Sequence, residues 1–292
     1  MKQLFMTICI STLMFVAAGC SSAPKTASEP VPETVETTPT TETAEEVPQT
    51  AEPQTEENTA MPEMTIEDGF QMDAFKTQSG KDIKLYCIKH GSLRIRYGET
   101  EFEIDPVTDL NGVVTDYTKL PKADYIIVTH EHYDHYDKTA IDALTKEGST
   151  IITNASVAGM YGKGDVMANG DEKTLRDDIH LKAVPAYNTT VGHEQYHPKG
   201  RDNGFILTLD NFNIYIAGDT EDIPEMADIK DIDVSLMPCN QPYTMTPEQL
   251  NKAARTVQPK VLFPYHYGQT DMKQVSDLLK DSGVDVRIRN YQ

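Results

Sequence analysis

Hydrophobic positions fall into three regimes along the chain. Leu4 to Ala18 is an almost unbroken apolar stretch, and from Ser21 to about Met64 large apolar residues nearly vanish. From about residue 80 onward, short apolar runs recur with turn residues between them. Ile83–Ile88, Leu93–Tyr97 and Phe102–Ile104 predict antiparallel strands. Tyr125–Thr129 (YIIVT) is near-continuously apolar, the pattern of a strand covered on both faces. Asp137–Glu147 predicts a helix with Ile141 and Leu144 on one face and Gly148 ending it. Further strands are expected at Thr150–Thr153, Ile179–Pro185, Gly204–Leu209, Phe212–Ala217 and Val234–Met237. Thr246-Pro247-Glu248-Gln249 has the form of a capping box with proline at the first helical position. A strand at Val261–Pro264, a helix at Met272–Lys280 and a last strand at Val284–Ile288 complete the series. No internal repeat is visible. The class is α/β or α+β, with helices covering sheet, in one domain of roughly 210 residues, large enough for a sizeable core.

The first two regimes read as an address and a spacer. Lys2 precedes an apolar stretch too short for a membrane span, which needs roughly 20 residues, but suited to a secretory signal. It ends Ala17-Ala18-Gly19-Cys20-Ser21-Ser22, which resembles the bacterial lipobox, with Ala17 where leucine is more usual. That resemblance implies cleavage before Cys20 and diacylglycerol on its sulfur; an ordinary signal peptide is the alternative. Two acyl chains hold a protein stably on a membrane. The expected organisation is a signal over residues 1–19, a lipidated Cys20 opening an acidic Thr/Glu/Pro linker over 20–68, and a folded domain over 69–292. The linker is too polar to offset its ordering entropy by burial, and its glutamates and prolines favour an extended chain.

Charge follows the same division. The whole chain carries a formal −20, and residues 21–68 hold twelve acids against one base, Lys25. The remainder has 34 acids and 25 bases, an ordinary balance for a soluble domain. No Lys/Arg run exists to displace counterions from phosphates, which excludes a nucleic-acid partner of the usual kind. Cys9 lies in the signal, leaving Cys87 and Cys239 inside apolar runs, where buried free thiols are expected rather than a disulfide.

Chemistry concentrates at His130-Glu131-His132-Tyr133-Asp134-His135, directly after the YIIVT strand. Imidazole and carboxylate together suit zinc, iron or manganese better than calcium. Side chains two apart on a loop can aim at one ion, and Asp134 with His135 can reach a second. This THxHxDH arrangement resembles the metallo-β-lactamase superfamily. Later motifs agree in order: Tyr215-Ile216-Ala217-Gly218-Asp219-Thr220 ends a strand in Gly-Asp-Thr, and Phe263-Pro264-Tyr265-His266-Tyr267 ends another in histidine. Pro242-Tyr243-Thr244-Met245 resembles uncharacterised metal-dependent hydrolases akin to the ascorbate-phosphate lactonases and, more loosely, to the N-acyl-phosphatidylethanolamine phospholipase D enzymes. The resemblance spans about residues 85–292.

The resemblance implies a four-layer αββα sandwich carrying two divalent ions, zinc first, with manganese or iron as alternatives. His130, His132 and a mid-chain ligand would hold one ion, Asp134, His135 and His266 the other, and Asp219 would bridge them. The mid-chain strand ends Val184-Pro185-Ala186-Tyr187-Asn188, with asparagine where histidine is usual. His197 is the first choice for that ligand, with His193 and Asn188 as alternatives; His90 and His180 are read as structural. The implied activity is hydrolysis of an ester, lactone or phosphodiester bond of a small molecule by a metal-bridging hydroxide, with Asp134 as ligand or proton shuttle. Tyr243, Lys199 and Arg201 are candidate substrate contacts. Asp219 argues against the antibiotic-hydrolysing branches, which lack it. A metal- or solute-binding lipoprotein and a catalytically silent member are the rival readings.

Overall fold

The structure, a computed structural model, describes residues 64–291. The signal segment, Cys20 and the linker up to residue 63 lie outside the described residues. In chain order the strands are β1 (Thr65–Glu67), β2 (Phe70–Lys76), β3 (Asp82–Lys89), β4 (Ser92–Tyr97), β5 (Thr100–Ile104), the small hairpin β6 (Asp109–Leu110) and β7 (Val113–Val114), and β8 (Tyr125–Val128). Helix α1 (Lys138–Leu144), β9 (Thr150–Thr153), α2 (Ala155–Tyr161) and β10 (Asp165–Val166) complete the first half. The second half has β11 (Glu172–Arg176), β12 (Ile179–Ala186), β13 (Asp202–Leu209), β14 (Phe212–Ile216), β15 (Val234–Pro238), α3 (Pro247–Val257), β16 (Val261–Tyr265), α4 (Met272–Leu279) and β17 (Asp285–Val286).

Each half builds one sheet on the same plan. The first runs β1-β2-β3-β4-β5-β8-β9-β10 and the second β11-β12-β13-β14-β15-β16-β17. In both, an antiparallel meander gives way to parallel strands, at β5–β8 and at β14–β15. Parallel neighbours need crossovers, and these carry the helices. The inner faces of both sheets share one apolar layer that includes Leu85, Ile95, Phe102, Ile127, Phe205, Ile216, Leu236 and Phe263. Helix α1 and α2 residues Ile141, Leu144 and Val157 pack with Ile126 and Val128 on one outer face. Leu250, Ala254 and Val275 of α3 and α4 pack with Tyr215 and Leu262 on the other. The layers are therefore helix, sheet, sheet, helix, and YIIVT is covered on both faces as its composition requires.

Local chemistry sets the element ends. Asp137, Asn154, Thr246 and Asp271 each accept a hydrogen bond from a backbone N–H of the first turn of their helix. Thr246 and Gln249 form the expected reciprocal capping box. Several boundaries differ from expectation. Helix α1 stops at Leu144 rather than Glu147, and the last strand shortens to Asp285–Val286. The linker does not extend to Asp68: Thr65–Glu67 pairs with β2, and Glu67 and Asp68 bind Lys84, Arg94 and Arg96. These acids complete a charge network on the first sheet, so the domain starts before residue 69.

Candidate active site

The histidine loop leaves the carboxyl end of β8, and residues from the ends of β5, β14 and β16 meet it there. Ligands in α/β sheets gather at such strand ends, where the crossovers diverge. Asp219 lies at the centre. Its carboxylate is 3.9 Å from His130 Nε2, 3.4 Å from His135 Nε2, 3.4 Å from His197 Nε2 and 3.1 Å from His266 Nε2. Gly218 makes this placement possible: its φ is +66°, and a Cβ there would lie 2.8 Å from the Asn203 carbonyl oxygen.

Two sets of donor atoms flank Asp219. His130, His132 and His197 form one, and Asp134, His135 and His266 form the other together with His90; within each set the atoms lie within 4.8 Å of one another. His90, which the sequence reads as structural, occupies the turn between β3 and β4, with its Nε2 3.1 Å from Asp134 Oδ2. His180, by contrast, is exposed on β12 and pairs with Thr174.

Of the three mid-chain alternatives, His197 is the one beside His130 and His132. Strand β12 ends at Ala186, two residues before Asn188, and the Asn188 N–H donates to the His197 carbonyl at 2.9 Å, closing off the intervening loop and returning the chain to the strand end. His193 turns away to Glu221 at 3.2 Å. The Asn188 side chain donates to the carbonyls of Tyr243 and His193.

A second row of carboxylates fixes the imidazoles. Asp105 accepts from the Thr129 N–H and hydroxyl and lies 2.8 Å from His135 Nδ1. Asp202 lies 3.1 Å from His197 Nδ1, and Thr129 Oγ1 is 2.9 Å from His130 Nδ1. Partners on Nδ1 leave the Nε2 lone pairs directed inward, as metal-binding histidines require. Gly91 permits the His135 position, since a Cβ there would fall 2.6 Å from the ring. Glu221, fully buried, accepts from the amides of Thr189 and Thr190 and anchors the loop that carries His197. Asp105, Asp202 and Glu221 were not among the expected site residues.

The residues fit a metal centre on their own terms. Among the described residues, His135 Nε2, both His266 nitrogens and Asp219 Oδ1 are buried without a well-aligned hydrogen bond, although they lie close to one another. Buried polar atoms rarely stay unpaired without a reason. Burial opposes charge on His135 and His266, yet the nearby carboxylates, Asp219 foremost, outweigh it and raise His135 well above its ordinary value and His266 to about 9. Asp219 is held well below the usual carboxylate range, because His266 and His135 overcome the penalty of its burial. The cluster thus stabilises positive charge at its centre.

A cleft of about 780 Å³ opens over these groups. Tyr133, Tyr196, Tyr243 and Tyr267 line it with Leu110 and Val113 of the β6–β7 hairpin. Tyr243 lines the cleft, its ring 5.0 Å from that of Tyr196. Lys199 does not line it, and instead binds Glu225 and Tyr187 on the surface. Arg201 reaches within 3.4 Å of His132 Nε2 but is committed to Asp202 and Glu131.

Comparison with known proteins agrees with this geometry. The profile of the family described as Beta-lactamase superfamily domain matches residues 84–266. The chain belongs to that superfamily, with the metallo-β-lactamase fold. Its relatives include the UPF0173 metal-dependent hydrolases of Ligilactobacillus salivarius, 30% identical over 66% of this chain and 89% of the relative, and Listeria welshimeri, 28% identical over 61% and 83%. Among solved structures, a protein of Parabacteroides distasonis assigned as a metal-dependent hydrolase is 54% identical, with a TM-score of 0.74 over 76% of this chain and all of that one. The metallo hydrolase Igni18 of Ignicoccus hospitalis is 25% identical, with a TM-score of 0.62 over 71% and 95%. This chain is thus a member of the UPF0173 metal-dependent hydrolase family.

Proposed function

We propose that this superfamily member is a two-metal hydrolase, with zinc as the first candidate, tethered to the cell surface through Cys20. The observation that carries the reading is Asp219, whose carboxylate approaches imidazoles of both donor sets. His130, His132 and His197 would hold one ion, Asp134, His135 and His266 the other, with Asp219 shared. When bound, such ions acidify water and polarise a carbonyl or phosphoryl oxygen. The protein side chains do the rest. Asp105, Asp202 and Thr129 keep the imidazole donors aimed, and Asp134, held ionised by His266 and His90 despite its burial, offers an anionic oxygen donor rather than a base. The phenol of Tyr243, which lines the same cleft, would donate to an oxygen of the substrate.

The cleft lining favours an uncharged ester or lactone over a phosphodiester. Among the described residues that line it, Lys89 is the only Lys or Arg, and its ammonium donates to the carbonyls of Thr108 and Val113. Tyrosines, Leu110 and neutral amides suit an apolar or aromatic acyl group. The test is metal content of the purified full-length chain, paired with hydrolysis of a simple lactone and of bis-p-nitrophenyl phosphate. About two ions per chain and lactone turnover abolished by His132→Ala or Asp219→Ala would support the reading. One ion or none, with no turnover after metal addition, would sink it in favour of a binding or silent protein. The anchor is tested separately: Cys20→Ser should release the chain from membranes.

A further inference from the structure

Three non-glycine residues at the site adopt the left-handed backbone region: His90 at φ 48°, Asp105 at 46° and His266 at 47°. Side chains with a Cβ rarely sit there, and such strain gathers where function over-determines the structure. Asp105 and His266 already have places in the centre described above. His90 has none in the ligand set that the superfamily resemblance implies.

The surroundings of His90 are those of a working group. Its backbone is pinned on both sides: the N–H donates to the Tyr291 carbonyl at 2.5 Å, and its carbonyl accepts the His266 N–H at 3.2 Å. Its ring lies 3.7 Å from the His266 ring, centroid to centroid. Its Nε2 is 3.1 Å from Asp134 Oδ2, which is itself 3.5 Å from His266 Nε2. Two donors bonded to one zinc ion at about 2.0–2.1 Å lie roughly 3.0–3.5 Å apart. The spacings around Asp134 are those of donors sharing an ion.

We propose that His90 is a direct metal ligand. This rests on the two-metal reading and extends it: one ion takes His90, Asp134, His135 and His266 with Asp219 beside them, and the other only His130, His132 and His197 with Asp219. The two positions are then unequal. The first is filled by protein donors and holds its ion tightly, while the second keeps a place open toward the cleft for water or substrate. The competing account makes His90 a hydrogen-bond partner that merely orients Asp134.

The experiment uses the full-length chain loaded with cobalt, as wild type, His90→Ala and His90→Gln. Metal content is measured after equilibration against graded chelator, with the visible cobalt spectrum as a second readout. The wild type should keep one ion at chelator levels that strip the other. Both variants should hold that ion at least about tenfold more weakly, with an altered spectrum. Glutamine can still donate to Asp134 but is a poor ligand. A His90→Gln protein with wild-type retention and spectrum would therefore overturn the proposal, and it carries the test if the alanine variant misfolds. Should the wild type take up no metal at all, the two-metal reading itself falls, an outcome distinct from retention of both ions by the variants.

Discussion

Asp105 Oδ2 lies 2.8 Å from His135 Nδ1, and both side chains are fully buried. The same carboxylate accepts from the Thr129 N–H and hydroxyl, and Thr129 in turn meets His130. One residue at the end of β5 therefore sets the orientation of two candidate ligands on the loop after β8. Asp105→Asn keeps the shape but can present an amide N–H to the ring, which disfavours the tautomer with Nε2 free. Metal affinity should fall by about 10- to 100-fold, read as metal content after dialysis against chelator. Unchanged retention would mean that the loop holds His135 without Asp105.

The mid-chain position offers a paired comparison. His197 stands with His130 and His132, and His193 faces Glu221 instead. His197→Ala should lose one ion per chain and nearly all turnover, whereas His193→Ala should leave metal content intact and lower Tm by only a few degrees. The converse result would reverse the assignment. Glu221→Gln makes a third arm: its buried carboxylate accepts two backbone amides of the loop, so weakening them should loosen His197 and lower metal retention with His197 present.

Much of this site was legible in the sequence where chemistry and local pattern coincide. THxHxDH follows an apolar strand, Gly-Asp-Thr and the strand-end histidine each follow another, and the Thr246–Gln249 capping box is purely local. What escaped depends on contacts distant in sequence. Asp105 acts on a residue 30 positions away, and the strand pairing that brings them together has no local signature. His90 sits in a two-residue turn between strands, where hydrophobic periodicity carries no information. Strand β11 reads EKTLR because it is an edge strand with mostly exposed side chains, so its pattern resembles a polar loop. Asn188 misleads for a further reason: the loop that follows it brings His197, nine positions later, back to the strand end beside His130 and His132.

Cys87 and Cys239 are free and buried, and burial pushes both thiols up to about 12. The thiolate is the reactive form, so neither should react with a disulfide reagent at pH 8 in the folded chain. Both should react within minutes in guanidinium, with Cys87→Ser and Cys239→Ser each removing one equivalent. Rapid labelling of either under native conditions would show that the surrounding layer opens readily.

Glu103 gives a stability prediction with a definite sign. It is buried in β5, neither carboxyl oxygen has a hydrogen-bond partner among the described residues, and burial raises it well above its ordinary 4.5 despite the pull of Arg94. Arg94 is already engaged: it donates to Glu101 through Nε and Nη2 and to Asp68 through Nη1. An acid with a raised folded pKa binds more protons folded than unfolded, so stability falls as pH rises above about 4.5 toward the folded value. Glu103→Met removes that slope. It should also stabilise the domain at pH 7 by about 1–3 kcal/mol, the usual penalty of a buried unpaired polar group. Urea denaturation at pH 5 and pH 7 measures both effects, because the two proteins should differ more at pH 7. A variant less stable than wild type at pH 7 would mean that Glu103 is ionised in the fold, and that Arg94 depends on it.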